Sequence, residues 1–499
     1  MVHVSPPGAA DRIRAPSLVD ACIPVAALIV LLATSYLLFG EKAAQGPNQV
    51  ALVFCGLIAS GVAVKNGMPW SGLRQAVIDG VASALSAIFI LLAVGALIGT
   101  WALSGTIVAM VYYGLEMLSP HYFYASAAAI CAVVAVGIGS SWTVAGTIGI
   151  GLIGVAANMG LSPAITAGAV ISGAYFGDKT SPLSDTVNLA AVSAGSDLYE
   201  HIRESLWTSV PALVLSLIGF ALLGRPGNFD ASTSLSGLSQ HFVITPWALS
   251  PIVLVFGLAV LRFPPFVTIF AGALFGGVLA VVFNAHQVAA FAQSTTLPAP
   301  LALLKGIWSA LANGYVARTN EPQIDQLLSR GGMESMLNTV WLILTALAFG
   351  AVLEHAGMLN RLIEPVARGV RSIGGLVIAV VAVSIGVNVI ASDQYIAIVL
   401  PARMFRVEFE RRGLLPVALS RAVGDSGSVT SPLIPWNSCG AYMAAALGVP
   451  TLSYAGFAFF CLINPLATIA IAVLGFRMRC AEPASPIERP RSHDKQTGT

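Results

Sequence analysis

Apolar runs long enough to cross a bilayer recur along the whole chain and restrict its fold more than any other feature. Ala21–Phe39, Ala84–Leu103, Trp207–Leu223, Asn338–Leu353 and Tyr454–Phe476 all approach the roughly 20 residues that a transmembrane helix needs. Inside a bilayer no water bonds the backbone, so spanning segments must be helical, and irregular backbone must line protein or a watery cavity. The predicted fold is therefore an all-α polytopic membrane protein of about 12 segments, several of them short or interrupted. Charged residues make up only 10% of the chain, against about 25% in soluble domains. Ala21–Phe39 is too long for the apolar region of a signal peptide and is read as the first span.

A second feature divides the chain. Residues 173–191 read GAYFGDKTSPLSDTVNLAA and residues 424–442 read GDSGSVTSPLIPWNSCGAY, so Thr180-Ser181-Pro182-Leu183 returns as Thr430-Ser431-Pro432-Leu433. The two copies lie 250 positions apart in 499 residues, which predicts a duplication. Pro182 and Pro432 each remove a backbone donor and clash with the preceding turn, so both spans are expected to break there. The expected organisation is a polar tail (1–19), a first membrane repeat (20–224), a polar connector (225–246), a linking span (247–264), a second repeat (265–476) and a second polar tail (477–499).

Loop charges give the relative orientation. Arg403, Arg406, Arg411 and Arg412 fall within 403–412, whereas the matching 153–162 holds no lysine or arginine. Likewise Arg361, Arg368 and Arg371 have no basic counterparts in 107–121. Basic loops stay cytoplasmic, so equivalent loops are expected on opposite sides, giving an inverted-topology repeat. The charges leave the side of the N-terminus open.

Four carboxylates stand in apolar or small-residue surroundings: Asp178, Asp185, Asp393 and Asp425. A charge within a span costs at least about 2.5–3.5 kcal/mol, so it is paired, hydrated or functional. Desolvation favours the protonated form of a carboxylate. Such a group holds either a proton or a small hard cation, and this competition is the simplest chemistry of proton/cation exchange. Thr180, Ser181, Ser184, Thr186 and Asn188 surround the first break, and Ser426, Thr430, Ser431 and Asn437 the second. Their oxygens suit a small hard cation; the alternative is that they bond carbonyls freed by the breaks. Lys179 and Arg421 are the nearby cations, available to pair with Asp178 and Asp425 or to meet an anion. Asp185 and Asp393 have no cation close in sequence and are the stronger candidates for the ion site. Trp142 and Trp436 flank the breaks. No cofactor or transition-metal motif occurs, HExxH and GxGD enzyme motifs are absent, and no charge tract calls for nucleic acid. The partners expected are the lipid bilayer and a small ion or solute, with a homodimer left open.

The stretches GSSWTVAGTIG (139–149), ISGAYFGDKTSPLSDTVNLAA (171–191), LLSRGGMESM (327–336), ASDQYIAIVLPARMF (391–405) and SRAVGDSGSVTSPLIPWNSCGAYMAAALG (420–448) resemble the NhaC family of bacterial sodium/proton antiporters. The resemblance covers about 50–475 and implies ion-coupled secondary transport in a bacterial inner membrane, with transported Na⁺ and H⁺. Two residues depart from the family's pattern: Gly424 where many members have an acid, and Val187 where many have threonine. The family also includes exchangers of organic acids, so the alternative is a Na⁺- or H⁺-coupled exchanger of a small organic acid or amino acid.

Overall fold

The computed structural model describes residues 13–224, 244–294, 297–317, 325 and 328–478. Nearly all of the predicted connector, and most of both polar tails, lie outside these residues. Among the described residues the regular structure is helical, joined by turns and irregular segments, with an isolated bridge between Tyr315 and Arg330. Eight of its helices are long and apolar enough to cross a membrane, and further apolar helices are shorter.

The first half contains α1 (Leu18–Phe39), α2 (Pro47–Lys65), α3 (Trp70–Ser83), α4 (Leu85–Ser104), α5 (Thr106–Met117), α6 (Phe123–Ile138), α7 (Ser141–Asn158), α8 (Pro163–Thr180), α9 (Asp185–Ala194) and α10 (Leu198–Leu223). Between the halves lies α11 (Pro246–Val260), a shorter apolar helix. The second half follows with α12 (Pro265–Phe291), α13 (Ala299–Asn313), α14 (Leu337–His355), α15 (Met358–Arg368), α16 (Ile373–Ala391), α17 (Gln394–Arg411), α18 (Pro416–Val423), α19 (Ser438–Leu447) and α20 (Phe459–Val473).

Local chemistry repeats between the halves more closely than the sequences do. Ser140 caps α7 by accepting from Thr143 N, and Asp393, 253 positions later, caps α17 by accepting from Ile396 N. Ser184 caps α9 and Asn437 caps α19 at the same interval, and both ten-residue helices end on a left-handed glycine, Gly195 and Gly448. Side-chain oxygens at these positions satisfy amides that a helix start leaves unbonded.

In each half three helices run back and forth between two ends. At one end of the first set Ser162 N donates to Tyr124 Oη (2.9 Å), and at the other Ser141 Oγ donates to Asp178 Oδ2 (2.6 Å). In the second set Arg412 donates to the carbonyls of Val370 and Ser372, while Ser438 N bonds Ser392 O (3.0 Å) at the broken end. The broken ends face each other, joined by Tyr395 Oη donating to Asp185 Oδ2 at 2.5 Å. Helix α9 continues along α17 until Gly195 reaches the Arg406 guanidinium, and the end of α19 shares a cavity with Asn158, Gly160 and Pro163. The starts of the two sets therefore lie at opposite ends of the molecule. This is the inverted arrangement expected from the loop charges.

Burial orders the helices from centre to rim. The most apolar window of Ser141–Asn158 is 78% buried, whereas that of Leu18–Phe39 is 22% buried and faces outward. Close helix approach in the interior uses small residues. A Cβ on Gly173 would sit 2.1 Å from Ala128 O, and one on Gly177 2.3 Å from the Ala135 Cβ, so α6 and α8 pack backbone to backbone.

Candidate functional site

Where the broken ends meet there is a cavity of about 570 Å³. It is lined from the first half by Ser140, Ser141, Asp178 and Asp185, and from the second by Asp393 and Tyr395. Three of the four sequence-predicted carboxylates thus share one space, although they come from three elements.

Asp178 lies in the last turn of α8 and is 5% exposed. Its carboxylate accepts from Ser141 Oγ at 2.6 Å and Ser184 Oγ at 2.5 Å, with Ser141 N at 3.4 Å. Thr186 Oγ1 lies 3.0 Å from Ser184 Oγ, adding a second layer of hydroxyl. Gly139 makes this possible: its φ of +75° turns the chain between α6 and α7, and a Cβ there would meet the Leu183 backbone at 2.8 Å. Asp185 opens α9, accepts from Thr186 N and Tyr395 Oη, and is exposed to the cavity. Asp393 follows Ser392, whose φ is +62°, and is half-buried. Trp142 lines the same cavity and stacks on Tyr442 of the second half with ring centroids 4.0 Å apart.

Asp425 stands elsewhere. It does not line the cavity; its Oδ1 lies 2.5 Å from Lys179 Nζ and accepts from Asn464 Nδ2 at 3.0 Å, in a fully buried setting. The local pairings open from sequence are exchanged in space. Lys179 pairs with Asp425 and not with adjacent Asp178, and Arg421 pairs with Glu204 (3.7 Å), which Arg477 also approaches.

The hydroxyls divide by role. Ser184 and Thr186 belong to the Asp178 cluster, and Asn188 Nδ2 bonds Ser184 O. Thr180, Ser426, Thr430 and Ser431 donate to carbonyls three or four residues earlier, the satisfaction of a helix end that was the alternative reading. Ser181 Oγ accepts from Leu183 N within the first break, beside Pro182 on the cavity wall. Asn437 caps α19 and donates to Asn388. Pro432 lies in a short 3₁₀ turn, Ser431–Leu433, and its carbonyl accepts from Tyr454 Oη.

Sequence reasoning missed several participants. Asn388 donates to Gly427 O (2.7 Å) and Thr430 Oγ1 (3.1 Å), tying α16 across the second break. It and Asn464 had a visible signal, an amide alone in an apolar run. Ser141 and Tyr395 carried none, because their partners lie 37 and 210 residues away.

The model of the Na⁺/H⁺ antiporter family matches residues 173–476. The Na⁺/H⁺ antiporter NhaC of Alkalihalophilus pseudofirmus is 37% identical over 85% of this chain and 90% of its own. The arginine/ornithine antiporter ArcD of Halobacterium salinarum is 34% identical over 95% of each chain. The malate-2H⁺/Na⁺-lactate antiporter of Bacillus subtilis is 33% identical over 89% of this chain and 92% of its own. Because the family model spans more than half of the chain and such relatives run along most of it, this protein belongs to the Na⁺/H⁺ antiporter family, as a multi-pass bacterial membrane transporter and not an enzyme.

Proposed function

We propose that the protein exchanges Na⁺ for H⁺, and that Asp178, Asp185 and Asp393 bind the two competitively. One observation carries this reading: three carboxylates drawn from both inverted halves line a single cavity where the two helix breaks meet. Ser141, Ser184 and Thr186 add hydroxyl oxygens that can join a carboxylate around a hard cation. A carboxylate that takes a proton loses the charge that holds Na⁺, so each ion expels the other. Rocking of one repeat against the other would expose the site to each side in turn. Asp425 acts from behind, holding Lys179 and thereby the last turn of α8.

The test is Na⁺-driven proton movement in proteoliposomes, followed with a pH-sensitive dye. Asp178→Asn and Asp393→Asn are expected to abolish it while the protein still inserts and purifies. In the wild type the apparent KM for Na⁺ should rise as pH falls, because protons compete for the same oxygens. Wild-type exchange in both variants, or a KM indifferent to pH, would remove the assignment.

A second reading, exchange of a small organic acid or amino acid, is supported by the names of the Halobacterium and malate/lactate relatives. Lys179 and Arg421, the cations expected to receive an anion, do not line the aspartate cavity; the basic residue on its wall is Arg262, facing three aspartates. Flux of a labelled organic acid without pH-linked Na⁺ flux would favour that reading.

A further inference from the structure

The stretch LLSRGGMESM has no part in the aspartate cavity. Its glycines instead form a clasp against α4 and the end of α13. Gly332 N donates to Gly95 O at 2.7 Å, and Tyr315 N to Arg330 O at 3.3 Å. A Cβ on Gly331 would fall 2.3 Å from Gly99 N, and one on Gly99 would fall 2.2 Å from Ala310 O. Gly314, Gly331 and Gly332 have φ of +87°, +88° and +81°, a region that favours glycine. Side chains at these positions would push the backbones apart, so the clasp fixes the loop tightly. The charged side chain that it carries into a second cavity, of about 1000 Å³, is Arg330.

This second cavity lies where Asn158–Pro163 meets Leu447–Val449, and it shares no lining residue with the first. Its balance of charge differs. The first cavity has three aspartates against one arginine, Arg262; among the described residues the second has no carboxylate in its lining, and Arg330 is its one charged group. Desolvation pushes the Arg330 guanidinium pKa down from its ordinary value. Three neighbouring polar side chains are engaged: Asn313 Nδ2 donates to Glu334 at 2.6 Å, Asn158 Nδ2 to Gly154 O at 2.9 Å, and Ser329 Oγ accepts from Ala317 N at 3.0 Å. The wall also carries Tyr315 and Ser335, and an apolar stretch with Ile98, Ile153 and Leu161.

We propose that Arg330 anchors an anion site in this second cavity, which takes the carboxylate of a small organic acid and rests its carbon body on Ile98, Ile153 and Leu161. The guanidinium is a planar fork that matches two carboxylate oxygens. Among the described residues the cavity offers one positive charge, which fits a carboxylate better than a phosphate of nearly two negative charges. The apolar wall favours a ligand with carbon over a bare halide. The site is separate from the aspartates and stands whichever cation they carry.

The experiment is equilibrium dialysis of the purified full-length protein against radiolabelled L-lactate, with chloride as competitor. Wild type is expected to bind one lactate per chain. Arg330→Lys, which keeps charge without the fork, should weaken binding by about tenfold or more, and Arg330→Gln should abolish it. No binding by wild type, equal binding by Arg330→Gln, or displacement by an equal concentration of chloride would each overturn the proposal. Should Arg330→Gln fail to fold, Ser329→Cys keeps the question open to measurement with Arg330 in place. Lactate should slow its labelling by a maleimide; unchanged labelling would also overturn the site. The cation reading fails separately, through unaltered Na⁺-driven proton movement in both Asp178→Asn and Asp393→Asn.

Discussion

Asp178 and Lys179 are neighbours in sequence, yet they turn to different surroundings, since successive helical residues point about 100° apart. Asp178 faces the cavity and its serines, while Lys179 reaches through the interior to Asp425. Removing one partner of such a buried pair leaves an uncompensated charge, at a cost of about 3–5 kcal/mol, whereas replacing both by apolar residues is often neutral. Asp425→Asn and Lys179→Met are therefore expected to lower the melting temperature in detergent, and the double variant Lys179→Met/Asp425→Leu to recover most of the loss. A double variant as unstable as either single one would contradict the pairing. At this scale the sequence exposed the residue types, because an acid in an apolar run is conspicuous. The pairings were not legible, since Lys179 and Asp425 are 246 positions apart and each had a closer candidate in sequence.

At the scale of elements, the repeated TSPL phrase and the repeated helices follow different registers. TSPL recurs after 250 positions, but the caps Ser140/Asp393 and Ser184/Asn437, and Pro163/Pro416 at the helix starts, recur after 253. The second TSPL therefore arrives three residues early. In the first half α8 runs as an α-helix to Thr180, whereas in the second α18 widens after Val423 into a π-helical segment that ends at Ser428, before Ser431–Leu433. The second break is longer as a result, and Asn388 and Asn437 hold it. Tight packing of α6 on α8 supports the first. Gly173→Val should destabilise the protein strongly, since its Cβ would overlap Ala128 O, while Gly137→Ala, with no atom within 4 Å, should be close to neutral. Thermal melting followed by size-exclusion chromatography compares the two; equal melting temperatures would argue against this packing.

For the whole molecule, the contacts of the N-terminal segment answer what loop charges left open. Arg14 N bonds Asn66 O, Lys65 pairs with Asp20, and Gly357 lies beside Pro16, so the start of α1 sits at the end of the molecule that carries α15. Arg361 and Arg368 belong to that same helix. We infer that the N-terminal segment is cytoplasmic, with Arg411 and Arg412 on the same side and Asn158 on the other. Single cysteines at Arg411 and Asn158 should react with an impermeant maleimide from opposite sides of oriented vesicles; labelling from one side would refute the inverted arrangement. The sequence by itself determined that the chain is a helical membrane protein made of two inverted halves with a proline break in each, because apolar length, proline and loop charge act locally and need no partner. It also supplied the carboxylates. Only the tertiary structure decided which of them share a space: Asp178, Asp185 and Asp393 line one cavity, Asp425 is bound to Lys179, and Arg330 stands in a second cavity. Those outcomes depend on which face each side chain presents once the halves interlock, and that is a property of contacts far apart in the chain.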